Sequence, residues 1–322
     1  MAIGLGIIGT GKHGARYLAH MVDVPVARLA AISRRDRDAG ERQAREHGCR
    51  FHADAEALIA DPAVDAVVLV VPPTLNLRLA SAAARAGKAL LIEKPLAPTV
   101  ADCRRIAEAV TRAGVTAMVA HTLRFNAVVR TLRDALSSIG PLHAAVLSQR
   151  FEPSVLPWLD RRAEAGGGII LHTGVHSFDL LRFLTGREAA RVSASCGSVA
   201  TRDTEDNFTA TIEMEGGFLA SIGGSRATVG RSGVIELVGR DGQLVGDHVH
   251  GLAARLVGAT RTPLDVGAAV MTVPATLQEF ADAVGAGRIP AITLADGASS
   301  VALAEACYRS IATGKTELVE RW

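Results

Sequence analysis

Lys94 stands where the sequence most clearly favours chemistry. It follows an apolar run at residues 89–92, and Pro95 comes directly after it. Such a run predicts a buried strand of a parallel sheet, and ligands of open α/β sheets bind beyond the carboxyl ends of these strands. Lysine is also rare here, with four among 35 basic residues, and it gives up its proton more readily than arginine. We expect Lys94 to take part in binding or proton chemistry; the alternative is a solvated lysine at a strand end.

Two histidines and an aspartate form the second candidate set. His172, His176 and Asp179 are separated by four and then three residues, so they would share one face of a helix. The glycines at 166–168 and the pair Thr185-Gly186 are typical of a helix with a flexible start and a glycine exit. The alternatives are a buried structural histidine and a metal site with Asp179 as third ligand. Because no His-Glu-x-x-His accompanies this spacing, we predict no metal.

A glycine loop near the start of the chain predicts a dinucleotide site. The motif G-x-G-x-x-G lies between a predicted strand at residues 3–8 and a predicted helix at 15–21. In that context the first glycine allows a tight turn, the second lets the backbone approach a pyrophosphate, and the third lets the helix pack on the strand. The helix N-terminus would then bind phosphate. The predicted cofactor contacts of the loop are Gly9, Thr10, Gly11, Lys12, His13 and Gly14.

The end of the second predicted strand bears on the choice of cofactor. About twenty residues beyond the glycines, where an acidic side chain would bind the ribose of NAD, the chain has Ser33-Arg34-Arg35. A hydroxyl at Ser33 and a guanidinium at Arg34 can both hydrogen-bond a ribose 2′-phosphate. The sequence therefore favours NADP, with NAD as second choice. The alternative is that the arginines begin a charged, solvated helix.

The rest of the pattern predicts an α/β protein of two domains. Strand-like runs alternate with helical segments at residues 3–8, 27–32, 65–71, 89–95 and 115–120. This alternation is typical of a Rossmann, doubly wound parallel sheet, which we assign to residues 1–121. Residues 122–322 predict an α+β domain on a large, mainly antiparallel, open-faced sheet, with the stretch 246–273 left unassigned. A second copy of the chain would cover the open face, so we expect a homodimer or homotetramer.

Composition excludes several classes of protein. The net charge is +2 without a basic cluster, so we expect no nucleic-acid partner, and no run of about 18 apolar residues predicts a membrane span. The four cysteines are far apart, which favours reduced thiols over disulfides or zinc. The first residues lack the pattern of a secretory leader, and we expect a cytoplasmic protein.

Four of these features together resemble the Gfo/Idh/MocA oxidoreductase family: the glycine loop, Glu93-Lys94-Pro95, Arg124-Phe125-Asn126, and Gly174-x-His176-x-x-Asp179. The resemblance extends over nearly the whole chain. It implies a nicotinamide cofactor on the first domain, a sugar-, polyol- or cyclitol-like substrate over the sheet of the second, and hydride transfer at a secondary alcohol or carbonyl. It also implies that Pro72, Asn76, Glu93 and Lys94 lie near the cofactor and that Arg124 is a candidate substrate contact.

The resemblance further implies roles at the reacting oxygen. It puts Lys94 and His176 there, with His176 as the acid/base and Lys94 stabilising the developing alkoxide. His172 stands where the family usually has aspartate, so it is a candidate for both catalysis and substrate binding, and Asn76 stands where the family commonly has histidine. Two alternatives stay open. The first is a non-catalytic NAD(P)-binding regulatory protein, and the second is an NAD-assisted glycosidase, since the resemblance includes such enzymes.

Overall fold

The computed structural model describes residues 2–322, which form two compact units. The first unit holds the residues up to Thr122 together with Met271–Ala298, and the second holds Leu123–Val270 with Ser299–Trp322. Residues 271–298 thus fold with the first unit, whereas the division predicted from the sequence, with one boundary after residue 121, grouped them with the second. The reason is that their helix buries apolar side chains, Leu277 and Phe280 among them. The predicted division of functions between residues 1–121 and 122–322 stays a prediction.

The elements have the following bounds. The strands are β1 Ile3–Ile8, β2 Ala27–Ser33, β3 Arg50–His52, β4 Ala66–Leu69, β5 Ala89–Glu93, β6 Ala117–Ala120, β7 Leu142–Arg150, β8 Ala189–Gly197, β9 Asn207–Met214, β10 Phe218–Ser225, β11 Ser232–Gly239, β12 Gly242–Asp247, β13 Leu252–Val257, β14 Thr260–Pro263 and β15 Glu317–Leu318. The α-helices are α1 Gly14–Ala19, α2 Arg37–Glu46, α3 Ala55–Ala60, α4 Asn76–Arg85, α5 Val100–Ala113, α6 Ala127–Asp134, α7 Arg162–Ala165, α8 Val175–Thr185, α9 Thr272–Ala286 and α10 Leu294–Thr313. A π-helical turn, Ile170–Gly174, leads directly into α8.

The first unit is built on a six-stranded sheet in the order β3-β2-β1-β4-β5-β6, and all of its strand pairs are parallel. Every residue of β4, β5 and β6 is buried, as expected for strands covered on both faces. The strand order reverses between β1 and β4, so the loops after these strands border the crevice where such sheets bind ligands. The predicted doubly wound sheet is confirmed.

The second unit is built on a nine-stranded sheet in the order β14-β13-β12-β11-β7-β10-β9-β8-β15. All of its pairs are antiparallel except β7 with β10. The unassigned stretch contains β13 and β14. One row of side chains across the sheet is fully buried, and it consists of Val192, Ile212, Ala220, Ala145, Leu237 and Leu244. This face packs against α8 and α10, so the predicted large, mainly antiparallel sheet is confirmed.

The opposite face of this sheet is partly exposed. The neighbouring row on it holds Ser193, Thr211, Ser221, Val146, Glu236 and Val245. Val146, Leu219 and Val234 on this face are each about half exposed or slightly less, at 41%, 52% and 40%.

Within residues 2–322, none of the helices combines the length and the apolar character needed to cross a membrane.

Candidate active site

The glycine loop between β1 and α1 has the shape that a dinucleotide requires. Gly9 has φ +96°, and a Cβ on it would lie 2.2 Å from the carbonyl oxygen of Val70. A Cβ on Gly14 would lie 2.1 Å from the carbonyl oxygen of Gly9, so helix and strand approach more closely than any other residue allows. Beyond Gly11 there is open space, where a pyrophosphate can approach the backbone. The loop therefore fits a dinucleotide.

Arg34 lies against this loop and is part of a small polar network. Its Nη1 donates to the carbonyl oxygen of Thr10 at 3.2 Å and to Oε1 of Gln43 at 3.3 Å. The Gln43 amide in turn donates to the same Thr10 carbonyl at 3.2 Å, and the buried Thr10 hydroxyl donates to Gln43 at 2.8 Å. Ser33 is buried, and its carbonyl accepts the Gly9 N–H at 2.9 Å. Gln43, which the sequence reasoning missed, thus links α2 to the glycine loop.

Glu93 is a buried carboxylate shared by two side chains from the first helix. The Tyr17 hydroxyl donates to its Oε1 at 2.6 Å, and His13 Nε2 lies 2.8 Å from the same oxygen. Burial opposes ionisation, but His13, Lys94 and Tyr17 outweigh it and lower the pKa of Glu93 to about 2. Burial, together with the Glu93 charge, raises the pKa of Tyr17 well above its ordinary value. The His13 ring lies against Glu93, and the predicted cofactor contact of His13 stays a prediction.

Lys94 directly follows β5, next to this carboxylate in the chain, and is partly buried. The segment that follows is held by Asn76 at the start of α4, whose Nδ2 donates to the carbonyl oxygens of Pro95 and Leu96 at 3.2 and 3.1 Å. Asn76 is buried, and its Oδ1 accepts no hydrogen bond from any described residue. Pro72 precedes the short turn that leads into α4, and Lys12 is exposed at the glycine loop. Cofactor contacts at these positions stay predictions.

In the second unit, His172 lies in the π-helical turn. Its ring Nε2 is 2.9 Å from the carbonyl oxygen of Ala165, so this nitrogen carries the hydrogen and donates it. The edge of the Trp158 ring packs against it, with centroids 5.6 Å apart and planes at 74°. His176 lies in the first turn of α8 and is partly exposed. A π turn closes between residues i and i+5, so residues four apart still lie on nearly the same side of it, and the shared face of His172 and His176 stays a prediction.

Asp179 has a different partner from the one that its spacing suggested. Its carboxylate accepts two hydrogen bonds from Arg124, from Nε at 2.9 Å and from Nη2 at 2.6 Å. Both residues are buried, and the guanidinium also lies 5.0 Å from the centroid of Phe183. This bidentate pair fixes α8, and it engages two of the groups with which Arg124 could bind substrate. Throughout the described part of the chain, no group of three or more His, Cys, Asp or Glu residues is arranged to hold a metal.

Comparison with known proteins places these residues in a family. Residues 3–121 match a family model described as an oxidoreductase family with an NAD-binding Rossmann fold, and residues 129–245 match the GFO/IDH/MocA C-terminal domain. The chain belongs to the Gfo/Idh/MocA oxidoreductase family. The predicted resemblance and the predicted dinucleotide-binding fold are thereby confirmed.

Several relatives that resemble the chain have names that describe enzymes acting on small hydroxylated or keto compounds. A 1,5-anhydro-D-fructose reductase of Ensifer adhaerens is 31% identical, over 98% of each chain. Inositol 2-dehydrogenase 2 of Saccharopolyspora erythraea is 32% identical, over 99% of this chain and 96% of its own. In fold, the chain matches a levoglucosan dehydrogenase solved with NADH at a TM-score of 0.91 and 21% identity, over 100% of both chains. The first two likenesses cover whole proteins, so they bear on function as well as fold.

Proposed function

We propose that the protein is an NAD(P)-dependent oxidoreductase that transfers a hydride between nicotinamide and a secondary alcohol or carbonyl of a sugar, polyol or cyclitol-like substrate. The observation that carries this proposal is the full-length likeness to a reductase and a dehydrogenase of such compounds. The open approach at Gly11 supports it from the structure. When bound, the nicotinamide supplies or accepts the hydride, which leaves the protein to hold the substrate and move one proton.

We assign that proton to His176. It would accept the hydroxyl proton when an alcohol is oxidised and return it when a carbonyl is reduced. Lys94, a cation at the end of a buried strand, would donate a hydrogen bond to the same oxygen and stabilise its negative charge. The Nε2 of His172 donates to the Ala165 carbonyl, and we propose its other ring nitrogen as the contact for a substrate hydroxyl. Arg124 remains a candidate substrate contact.

We propose NADP as the preferred cofactor, with NAD as second choice. The support is that β2 ends in Ser33 and continues into Arg34, with no carboxylate at the ribose position. The Arg34 guanidinium lies at the glycine loop, hydrogen-bonded to the Thr10 carbonyl. Arg34 thus follows the end of β2, where the ribose of the cofactor is expected, and its guanidinium can hydrogen-bond the 2′-phosphate of NADP.

We also propose that the chain forms a homodimer or homotetramer through the open sheet face. Exposed apolar side chains in mid-sheet, such as Val146 and Leu219, support this, because a partner would remove them from water. Substitution Val146→Asp should shift the mass measured by light scattering toward the monomer, while the substitution Val22→Asp at an exposed site of the other unit should not.

Free thiols at all four cysteines are compatible with a cytoplasmic protein.

The test is turnover with a substrate panel. NADPH or NADH formation is followed by absorbance with myo-inositol, levoglucosan and related polyols, and NADPH consumption with 1,5-anhydro-D-fructose. We expect activity that falls by about 10²-fold or more in Lys94→Ala and His176→Ala. Lys315→Ala is the matched control, because it removes an exposed lysine in the other unit. Normal NADPH binding without turnover, even after His172→Asp, would instead favour the regulatory alternative, and sugar release without net nicotinamide change would identify the glycosidase.

A further inference from the structure

One residue of the second unit binds three successive N–H groups at the start of the segment that carries His172 and His176. The N–H of Ile169 donates to the carbonyl oxygen of Glu205 at 2.8 Å. The N–H groups of Gly168 and Ile170 donate to Oε1 of the same residue at 3.0 and 3.2 Å. The first N–H groups of a helix have no partner within it, so Glu205 satisfies this start in the way that a capping residue does.

The Glu205 carboxylate is itself held from its other side. The Tyr308 hydroxyl donates to Oε1 at 2.7 Å, and Nη2 of Arg162 lies 3.2 Å from Oε2. Glu205 is only 4% exposed, and a Cβ on Gly168 would lie 2.2 Å from its carbonyl oxygen. Only glycine therefore permits this approach at position 168. Burial, with the Glu205 charge, raises the pKa of Tyr308 well above its ordinary value, so the phenol remains a donor.

The contact reaches His172 through a single backbone hydrogen bond. The N–H of His172 donates to the carbonyl oxygen of Gly168 at 3.0 Å. The π-helical turn then continues into α8 without a break, and His176 lies in the first turn of that helix. The backbone position at Gly168 thus sets the position of both imidazoles. A displacement of about 1 Å in a catalytic group can lower a rate by about 10²-fold.

We propose that Glu205 is a positioning residue, which fixes the backbone at residues 168–170 and so places His172 for substrate binding and His176 for proton transfer. This inference rests on the proposed function, since that function gives the two histidines their task. A purely structural Glu205 would affect the free energy of unfolding alone, and the folded fraction of a variant would turn over at the normal rate. A positioning Glu205 lowers kcat in the folded molecules.

Kinetics of three variants separates these two roles. Glu205→Ala removes the acceptor, and Glu205→Gln keeps an Oε1 acceptor for both N–H groups. Tyr308→Phe removes one donor to Glu205 and also a second acceptor of the Gly168 N–H, which lies 3.2 Å from the Tyr308 hydroxyl. We expect kcat to fall about 10- to 100-fold in the alanine variant, with KM changed less than about threefold and an altered pH profile of kcat, and to be largely restored in the glutamine variant. Asp241→Asn is the control, because it alters an exposed carboxylate in the turn between β11 and β12. Unchanged kcat in folded Glu205→Ala, or an equal fall in the control, would overturn the proposal.

Hydrogen exchange gives a second reading that does not depend on activity. In Glu205→Ala we expect faster exchange confined to the amides of residues 168–172, and near-normal exchange there in Glu205→Gln. Exchange that is unchanged at these amides, or faster throughout the second unit, would contradict the positioning role. If wild-type protein shows no nicotinamide turnover, the proposed function fails, whereas the exchange result still decides whether Glu205 holds this backbone. Should Glu205→Ala not fold, Tyr308→Phe carries the test at the Ile170 amide, which donates to Glu205 and not to Tyr308, with a smaller effect expected in the same direction.

Discussion

Removal of the Arg124 guanidinium should destabilise the second unit more than the loss of any exposed ion pair. In Arg124→Met the Asp179 carboxylate, which is 1% exposed, loses two hydrogen bonds of 2.6 and 2.9 Å and stays buried without its counter-charge. Breaking a buried pair from one side costs about 3–5 kcal/mol, because the remaining charge is uncompensated. For a cooperative unit of about 170 residues this corresponds to a fall in Tm of about 6–20 °C.

The assay is thermal unfolding of four proteins side by side: wild type, Arg124→Met, the double variant Arg124→Met with Asp179→Leu, and Arg231→Met. The double variant leaves no buried charge behind, so we expect it to return to within about 1–2 kcal/mol of wild type. Arg231 pairs with Glu152 at 2.6 Å, but both side chains are about half exposed. Its removal should therefore lower the Tm far less than Arg124→Met does, because solvent screens an exposed pair.

Two results would refute this reasoning. If Arg124→Met lowers the free energy of unfolding by less than about 1 kcal/mol, Asp179 is not an uncompensated buried charge in the variant. If the double variant is as unstable as the single one, the loss comes from packing around Phe183, whose ring centroid lies 5.0 Å from the guanidinium, and not from charge.

Three further predictions concern the first unit. Because the pKa of Glu93 is lowered to about 2 in the folded protein, its contribution to stability is present above the unfolded value of about 4.3 and is lost as pH falls toward 2. Urea unfolding between pH 6 and 3 should therefore show a steeper decrease in the free energy of unfolding for wild type than for Glu93→Gln. Equal slopes for the two proteins would contradict this. Arg34→Ala should weaken NADPH binding about tenfold and NADH binding less than about threefold, because one charge-assisted hydrogen bond is lost; fluorescence titration that shows equal losses would remove the argument for NADP. Gly14→Ala should weaken both cofactors and lower stability by about 1–3 kcal/mol, since the added Cβ would meet the Gly9 carbonyl at 2.1 Å. Gly285→Ala is the control, because Gly285 is also helical and its added Cβ would meet only Ile3 within 4 Å, at 3.8 Å.

The sequence predicted the fold best where a short pattern of side chains is enough to specify one strand, helix or loop. The glycine loop, the buried run of β5 and the alternation along β9 each specify their structure within about ten residues. The stretch at 246–273 was not assigned because β13 and β14 are short and have no regular alternation in burial. The parallel pairing of β7 with β10 joins residues about 75 positions apart, so no turn signal announces it.

The parts of the candidate site that sequence reasoning missed are contacts between distant segments. Gln43 meets Thr10 across 33 positions, and Glu205 meets Gly168 across 37. Neither side chain stands in a recognisable motif, because its role depends on the tertiary position of a backbone group. His172 and Asp179 were grouped by helical spacing, but their side chains contact different residues. His172, in the π-helical turn, donates to Ala165, and Asp179, in α8, accepts from Arg124. Spacing predicted the segment correctly and its contacts only in part.

Transfer of deuterium tests the central claim most directly. NADPH carrying deuterium at both C4 positions of the nicotinamide is incubated with the protein and a panel of keto sugars and keto polyols, 1,5-anhydro-D-fructose among them, and the products are analysed by mass spectrometry. The account predicts a single deuterium on the new carbinol carbon, abolished in Lys94→Ala and in His176→Ala but retained in Lys315→Ala. Cofactor that binds tightly while no product across the panel gains deuterium would contradict it.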